Sequence, residues 1–253
     1  MRIVRSIDEL HGALDPLRTG SWVGLVPTMG AFHDGHLSLF RAARAECDTV
    51  VVSLFVNPAQ FAEGEDLARY PRDEARDTLL AEQEGIDVLF VPPVEELGNE
   101  LEGEFRAGHF RGVATVCLKL FNLVRPDVAY FGQKDAQQAA LLRRMVRDLN
   151  LELELRVLPT VRDDDGLALS SRNSYLSADE RRRALALPRA LATGRDAFSQ
   201  GSDPVQAARG ALNGLAADYI DVVDLGDAKV LAAAARVGPI RLIDNVVLEG
   251  ELT

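Results

Sequence analysis

The sequence predicts an α/β protein: a doubly wound parallel sheet followed by a smaller α+β C-terminal domain. Short uncharged apolar runs, VGLV from Val23 and TVVVSLFV from Thr49, alternate with longer stretches of helical periodicity up to about residue 172. Unbroken Val and Leu runs of this kind suit strands covered on both faces, as parallel sheets require. Beyond residue 172 the alternation breaks and Ala-rich stretches take over. With 253 residues, 47% of them hydrophobic, the chain can bury one large core or two smaller ones.

Residues 3–17 read as a short strand and a polar helix that stops near Pro16. Val23, Leu25 and Val26 form the next strand, with Gly24 inside it, Pro27 ending it and Gly30 permitting a tight backbone path. A helix follows from about 36 to 46, then the buried strand TVVVSLFVN, which ends at Asn57. The polar loop PAQFAEGEDLARYPRDEARD passes into the helix DEARDTLLAEQEG, and DVLFVPP is a strand stopped by two prolines. Residues 94–112 carry four glycines and no periodicity, a composition expected of a flap. GVATVCLKLFNLVRPD reads as a helix, DVAYFG as a strand, DAQQAALLRRMVRDL as a helix and ELELRVLPTV as a strand. In the C-terminal part, LSADERRRALALPRALATG reads as one helix with Ser177 as N-cap and Glu180 completing a capping box. A second helix spans about 203–214, and the remainder reads as strands around a short Ala-rich helix. The expected domains are 1–175 and 176–253.

A formal net charge of -11 argues against nonspecific attraction to nucleic acid or anionic membrane, so an anionic substrate requires a local basic pocket. Cys47 and Cys117 lie among apolar neighbours and read as reduced core residues. The acidic balance favours a cytoplasmic protein; MRIVRSIDEL lacks the apolar core of a signal peptide and no stretch is long enough to span a bilayer.

The densest chemical signal is VGLVPTMGAFHDGHLS, residues 23–38. His33 and His36, three apart at a strand-to-helix junction, share one face of a first helical turn, where free N–H groups and the helix dipole favour an anion such as phosphate. By spacing alone the pair reads equally as two histidines of an ordinary loop. A metal site is disfavoured, because only four histidines occur and no tetrahedral Cys/His set accompanies the pair. Other strand ends add Asn57 and Gln60; Gln133, Lys134, Asp135, Gln137 and Gln138; His109 and Arg111; and Ser170, Ser171, Arg172 and Asn173. Lys134 supplies a movable point charge and Arg172 a planar fork, the best phosphate binders of the set, and Asp135 suits a metal or ribose contact. Each alone reads equally as a surface residue. Asp163, Asp164 and Asp165 before Gly166 read as a solvated turn in preference to a metal cluster.

PTMGAFHDGHLSL closely resembles the H-x-G-H segment of pantothenate synthetases. FVNPAQF, DLARYPRDEARD, EGEFRAGHFRGVATVCLKLFNLVRPDVAYFGQKDAQQ and VRDLNLELELRVLPTVRDDDGLALSSRNSYLS resemble successive blocks of the same family, so the likeness spans most of residues 20–178. The resemblance implies a Rossmann-like nucleotide- and pantoate-binding domain that joins (R)-pantoate to β-alanine with ATP and Mg²⁺, through a pantoyl adenylate. It implies that His33, His36, Lys134 and Arg172 act on the ATP phosphates, and that Met29, Gly132, Asp135, Ser170 and Ser171 complete the nucleotide site. It implies Gln60, Gln138 and Asn57 for pantoate, Asp77 for the magnesium region, and a homodimer. Phe32, Asp34, Arg76, Ala107, Ala136 and Leu169 depart from the residues common in relatives, and Arg76 stands where an acidic residue is frequent. Arg76 weakens the match of Asp77 to the magnesium region, and the other departures leave the charged set intact. Two rival readings are another H-x-G-H nucleotidyltransferase with a phosphorylated acceptor and an inactive nucleotide-binding regulator. The first requires a further basic pocket, and the second is opposed by retention of His33, His36, Lys134 and Arg172 together.

Overall fold

The computed structural model describes residues 1–61, 66–93 and 109–252. Most of the expected flap, residues 94–108, lies outside the described residues.

Two compact units divide the chain: Met1–Phe131 with Leu141–Leu158, and Gly132–Ala140 with Pro159–Thr253. The first unit holds β1 (Arg2–Val4), α1 (Ile7–Leu14), β2 (Val23–Thr28), α2 (Asp34–Glu46), β3 (Thr49–Leu54), α3 (Glu74–Gln83), β4 (Val88–Phe90), α4 (His109–Val124), β5 (Val128–Gly132) and β6 (Glu154–Leu158). A further helix, α5 (Ala136–Asp148), begins in the second unit and ends in the first. The six strands order as β1-β4-β3-β2-β5-β6, and the β1–β4, β4–β3, β3–β2 and β2–β5 pairs run parallel. Strand order reverses between β2 and β5, the switch point at whose carboxyl side such sheets bind ligands.

The apolar runs explain the layers. Val51 of β3 packs with Leu10, Leu14, Leu120, Phe121 and Leu142 of α1, α4 and α5. Its neighbours Val50 and Val52 pack with Phe40, Ala43 and Ala81 of α2 and α3. Alternate residues of one strand thus serve cores on opposite faces, and the sheet is wound with helices on both sides.

The second unit adds α6 (Ala178–Ala184), α7 (Ala186–Ser199) and α8 (Pro204–Ala211), then an antiparallel sheet of β7 (Ala216–Asp224), β8 (Ala228–Val237) and β9 (Ile240–Gly250) in the order β7-β8-β9. The Ser177–Glu180 capping box is present. Two expectations are corrected. The single helix after Ser177 is two, with Leu185 between them, because Pro188 lacks the N–H to continue a helix from α6 and instead sits in the first turn of α7, where that N–H is not needed. The Ala-rich segment expected as a helix is β8, the central strand, bounded by positive-φ glycines Gly226 and Gly238 and buried except at Lys229 and Arg236. Ala has high helix propensity, but here two neighbouring strands claim the backbone, and small side chains admit close packing above the sheet.

The second unit also begins earlier than residue 176, because residues 159–175 are tied into it. Arg162 pairs with Asp244 of β9, Arg181 of α6 pairs with Asp163 and Asp165, and Leu167 joins the core formed by α7 and β8. The three aspartates form the expected turn, Gly166 N donating to Asp163 O at 2.8 Å.

Candidate active site

β2 ends in a turn built to present two histidines. Thr28 Oγ1 donates to Ser53 O of β3 (2.7 Å) and accepts from Gly30 N (3.2 Å). The chain then passes through left-handed backbone at Gly30 (φ 80°) and Ala31 (φ 54°). For Ala31 that conformation costs roughly 1–2 kcal/mol. Asp77, reaching in from α3, holds it: Oδ2 accepts from Ala31 N at 2.7 Å and Oδ1 from Phe32 N at 2.8 Å. Arg76 Nη1 donates to Phe32 O at 3.0 Å, so one dipeptide of α3 grips both polar groups of the residue before His33. The Phe32 ring stands edge-on to Phe40 at 5.0 Å and packs against His36 at 5.6 Å.

His33 is the N-cap of α2, and its Nδ1 accepts from Gly35 N at 3.2 Å. His36 Nδ1 accepts from His33 N at a longer 3.4 Å, so the pair makes a reciprocal capping box with imidazoles in place of Ser and Glu. The rings are 4.2 Å apart and both residues are half-buried. An Nδ1 that accepts leaves the proton of a neutral ring on Nε2.

Asp77, which the resemblance placed in the magnesium region, is committed elsewhere. Its side chain is buried and both oxygens serve the turn. Burial raises its pKa above the ordinary value, against the pull of the Phe32 and Ala31 N–H groups. Asn57, implied for the pantoate wall, is likewise buried and engaged. Its Oδ1 accepts from Ala59 N (3.1 Å) and its Nδ2 donates to Gly112 O (3.2 Å). It caps the turn Pro58–Gln60 that carries Gln60, and a Cβ on Gly112 would lie 2.7 Å from Ala59 O, so only glycine admits this approach. Gln60 and Met29 are half-buried.

In the second unit, Gly132 leads into the 3₁₀ turn Gln133–Asp135. Lys134 Nζ lies 3.8 Å from Asp135 Oδ2, a long pairing, and Gln138 is half-buried on α5. Ser170 caps a second 3₁₀ turn, Ser171–Tyr175, by accepting from Arg172 N at 3.3 Å. β9 packs against both turns. Asn245 Nδ2 donates to Gln133 O and Lys134 O, and Arg162 holds Asp244 beside it. Asp163 and Asp165 are bound to Arg181, and among the described residues no group of three or more His, Cys, Asp or Glu is placed to hold a metal ion.

The pantoate-beta-alanine ligase family profile matches residues 2–247. The chain belongs to the pantoate-beta-alanine ligase family. It is 49% identical to a pantothenate synthetase of Heliobacterium modesticaldum, covering 98% of this chain and 100% of that one. With a pantothenate synthetase of Moorella thermoacetica it shares 50% identity over 98% and 99% of the two chains. Among solved structures, a pantothenate synthetase from Thermus thermophilus superposes with a TM-score of 0.90 at 43% identity, covering 98% of this chain and 99% of that one. The Francisella tularensis ligase complexed with beta-gamma ATP and beta-alanine gives 0.84 at 32% identity over 100% of both chains. A Rossmann-like sheet with a small antiparallel C-terminal sheet is thus the ligase fold.

Sequence reasoning missed the residues that hold these turns within each unit. Arg76 was noted only as a departure, and Asn245 and Asp244 passed unremarked. Their one available signal was an adjacent acid and amide inside the apolar strand IRLIDNVVL, where a polar pair must find partners.

Proposed function

We propose that this ligase-family chain condenses (R)-pantoate with β-alanine at the expense of ATP, through a pantoyl adenylate, releasing pyrophosphate and then AMP. The reciprocal histidine cap at the amino end of α2 carries the reading, because it fixes two imidazoles at the carboxyl end of a central parallel strand, beside a helix N-terminus that favours an anion. In-line attack of the pantoate carboxylate on the α-phosphorus brings two anions together, and fixed donors lower that barrier without reorganising. In this reading the Nε2–H groups of His33 and His36 meet the phosphates, Lys134 and Arg172 neutralise the charge that develops, and Ser170 and Ser171 shape the loop around it. Met29, Gly132 and Asp135 line the nucleotide, while Gln60 and Gln138 orient pantoate. Asn57 acts behind Gln60, as its buried hydrogen bonds support. The β-alanine amine then attacks the acyl carbon and AMP leaves. No covalent enzyme intermediate is needed.

Magnesium belongs to this proposal as the ion that travels with ATP and offsets its charge. In this reading Asp77 serves the histidine turn rather than the ion, because its side chain is buried and both carboxylate oxygens already accept backbone N–H groups. A homodimer is proposed on the family resemblance, and a cytoplasmic location on the acidic charge of the chain. Among the described residues, no helix is long and apolar enough to cross a membrane.

Purified protein incubated with ATP, Mg²⁺, pantoate and β-alanine is expected to form AMP and pantothenate in equal amounts. Absence of both from a folded sample overturns the reading.

A further inference from the structure

We infer that Asp244 and Asn245 of β9 are positioning residues that tie the Lys134 turn and the Ser170–Arg172 turn to one strand, so that both turns act on the nucleotide as one assembly. Both residues are buried, at 3% exposure. Asn245 spends both amide donors on the main chain that carries the lysine: Nδ2 reaches Gln133 O at 2.9 Å and Lys134 O at 3.0 Å. Its Oδ1 accepts from Gln133 Nε2 at 3.2 Å, which fixes the orientation of the amide. The main-chain N–H of Asn245 donates to Asp244 Oδ1 at 2.8 Å, joining the two residues.

Asp244 grips the other arm. Arg162 Nη1 and Nη2 meet its two oxygens at 2.7 and 2.9 Å, a bidentate pair with directional as well as Coulombic content. Arg162 also donates to Gly166 O at 3.2 Å and bridges to Ala168, so it closes the hairpin that delivers Ser170 two residues later. Opposite Asp244 and Asn245 on β8 stand Ala233 and Ala232, whose small side chains leave space for this network. Neither Asp244 nor Asn245 needs to touch substrate for this. Each acts through the backbone of a segment that does.

The inference rests on the reading of Lys134 and Arg172 as nucleotide-phosphate groups. Its test is a double-mutant cycle on pyrophosphate release from ATP and pantoate, with melting curves for each variant. Asn245→Ala is expected to lower kcat about tenfold or more while the KM for ATP stays within about threefold, since displacement by a fraction of an ångström costs alignment before it costs binding. In a Lys134→Ala background the same substitution is expected to cost less than about twofold, because the group it positions is gone. A loss that multiplies in full across the two substitutions, or an Asn245→Ala kcat within about twofold of wild type, overturns the inference. If Asn245→Ala fails to fold, Asn245→Leu replaces it in the cycle with the same two outcomes, since it keeps the side-chain volume while removing the Nδ2 donors to Gln133 O and Lys134 O. Wild-type turnover by Lys134→Ala would refute the phosphate reading and the inference with it. A loss in Lys134→Ala beside a normal Asn245→Ala refutes the inference alone.

Discussion

Asp77 carries a charge that burial makes costly and two backbone hydrogen bonds that the histidine turn requires. These terms oppose one another, and the raised pKa says that burial outweighs the two donors. Asp77→Asn, which removes the charge but sets an amide donor against one backbone N–H, should therefore change the melting temperature little. Activity is a different matter, because the left-handed Ala31 has then lost part of its restraint and His33 begins two residues later. We expect kcat to fall about tenfold or more, with the Mg²⁺ concentration for half-maximal rate unchanged. A rightward shift in that concentration at constant kcat would return Asp77 to the metal. The residue types for this site were legible in the sequence; their division of labour was not. Nothing local distinguishes a carboxylate that faces a ligand from one that faces its own loop, since the difference lies in which way α3 turns its side chains 46 residues from Ala31.

The parallel strands were readable because their code is local: an unbroken Val and Leu run must be covered on both faces, and only a few folds do that. β8 was not, because its Ala residues favour a helix by intrinsic preference and are overruled by partners on either side. The packing of α7 explains what those small residues permit. A Cβ on Gly194 would lie 2.3 Å from Leu231 Cδ2 of β8, 2.8 Å from Pro204 O and 3.2 Å from Ala208 Cβ, so helix, sheet and the start of α8 converge on one missing side chain. Gly194→Ala gains about 1 kcal/mol of helix propensity, yet it meets a backbone oxygen that cannot rotate aside. The expected net result is destabilisation of about 1–3 kcal/mol, read as a lower urea midpoint at unchanged m-value. A higher midpoint would mean that α7 can lift off β8 without loss.

Across the whole molecule, carboxylates with cationic or hydroxyl partners set the response to acid. Glu46 is held below its ordinary 4.5 by the Tyr130 hydroxyl and then Arg156. Asp165 and Asp218 lie below 3.8 through Arg181 and Arg241 respectively. A group that binds its proton less readily when folded contributes stability in full above its unfolded value and loses it as pH falls through the folded one. Asp77 has the opposite sign: its ionised form is a cost above its folded value, and that cost is relieved in acid. The lowered groups outnumber it, so the urea midpoint is expected to stay level from pH 7 to about 5 and to drop below about 4.5. A midpoint that rises on acidification would show Asp77 to dominate.

The Asn245 bracket also bears on how the protein is made. Synthesis runs from the amino end, and all six strands of the parallel sheet have been translated by Leu158, with the histidine cap already supplied by α2. Lys134 has by then been synthesised as well, but the amide that seats its turn arrives 111 residues after it. A nascent chain can therefore own a histidine cap long before it owns a seated lysine. On the proposed role of Lys134, the grip on the nucleotide is completed only after residue 245 has been translated.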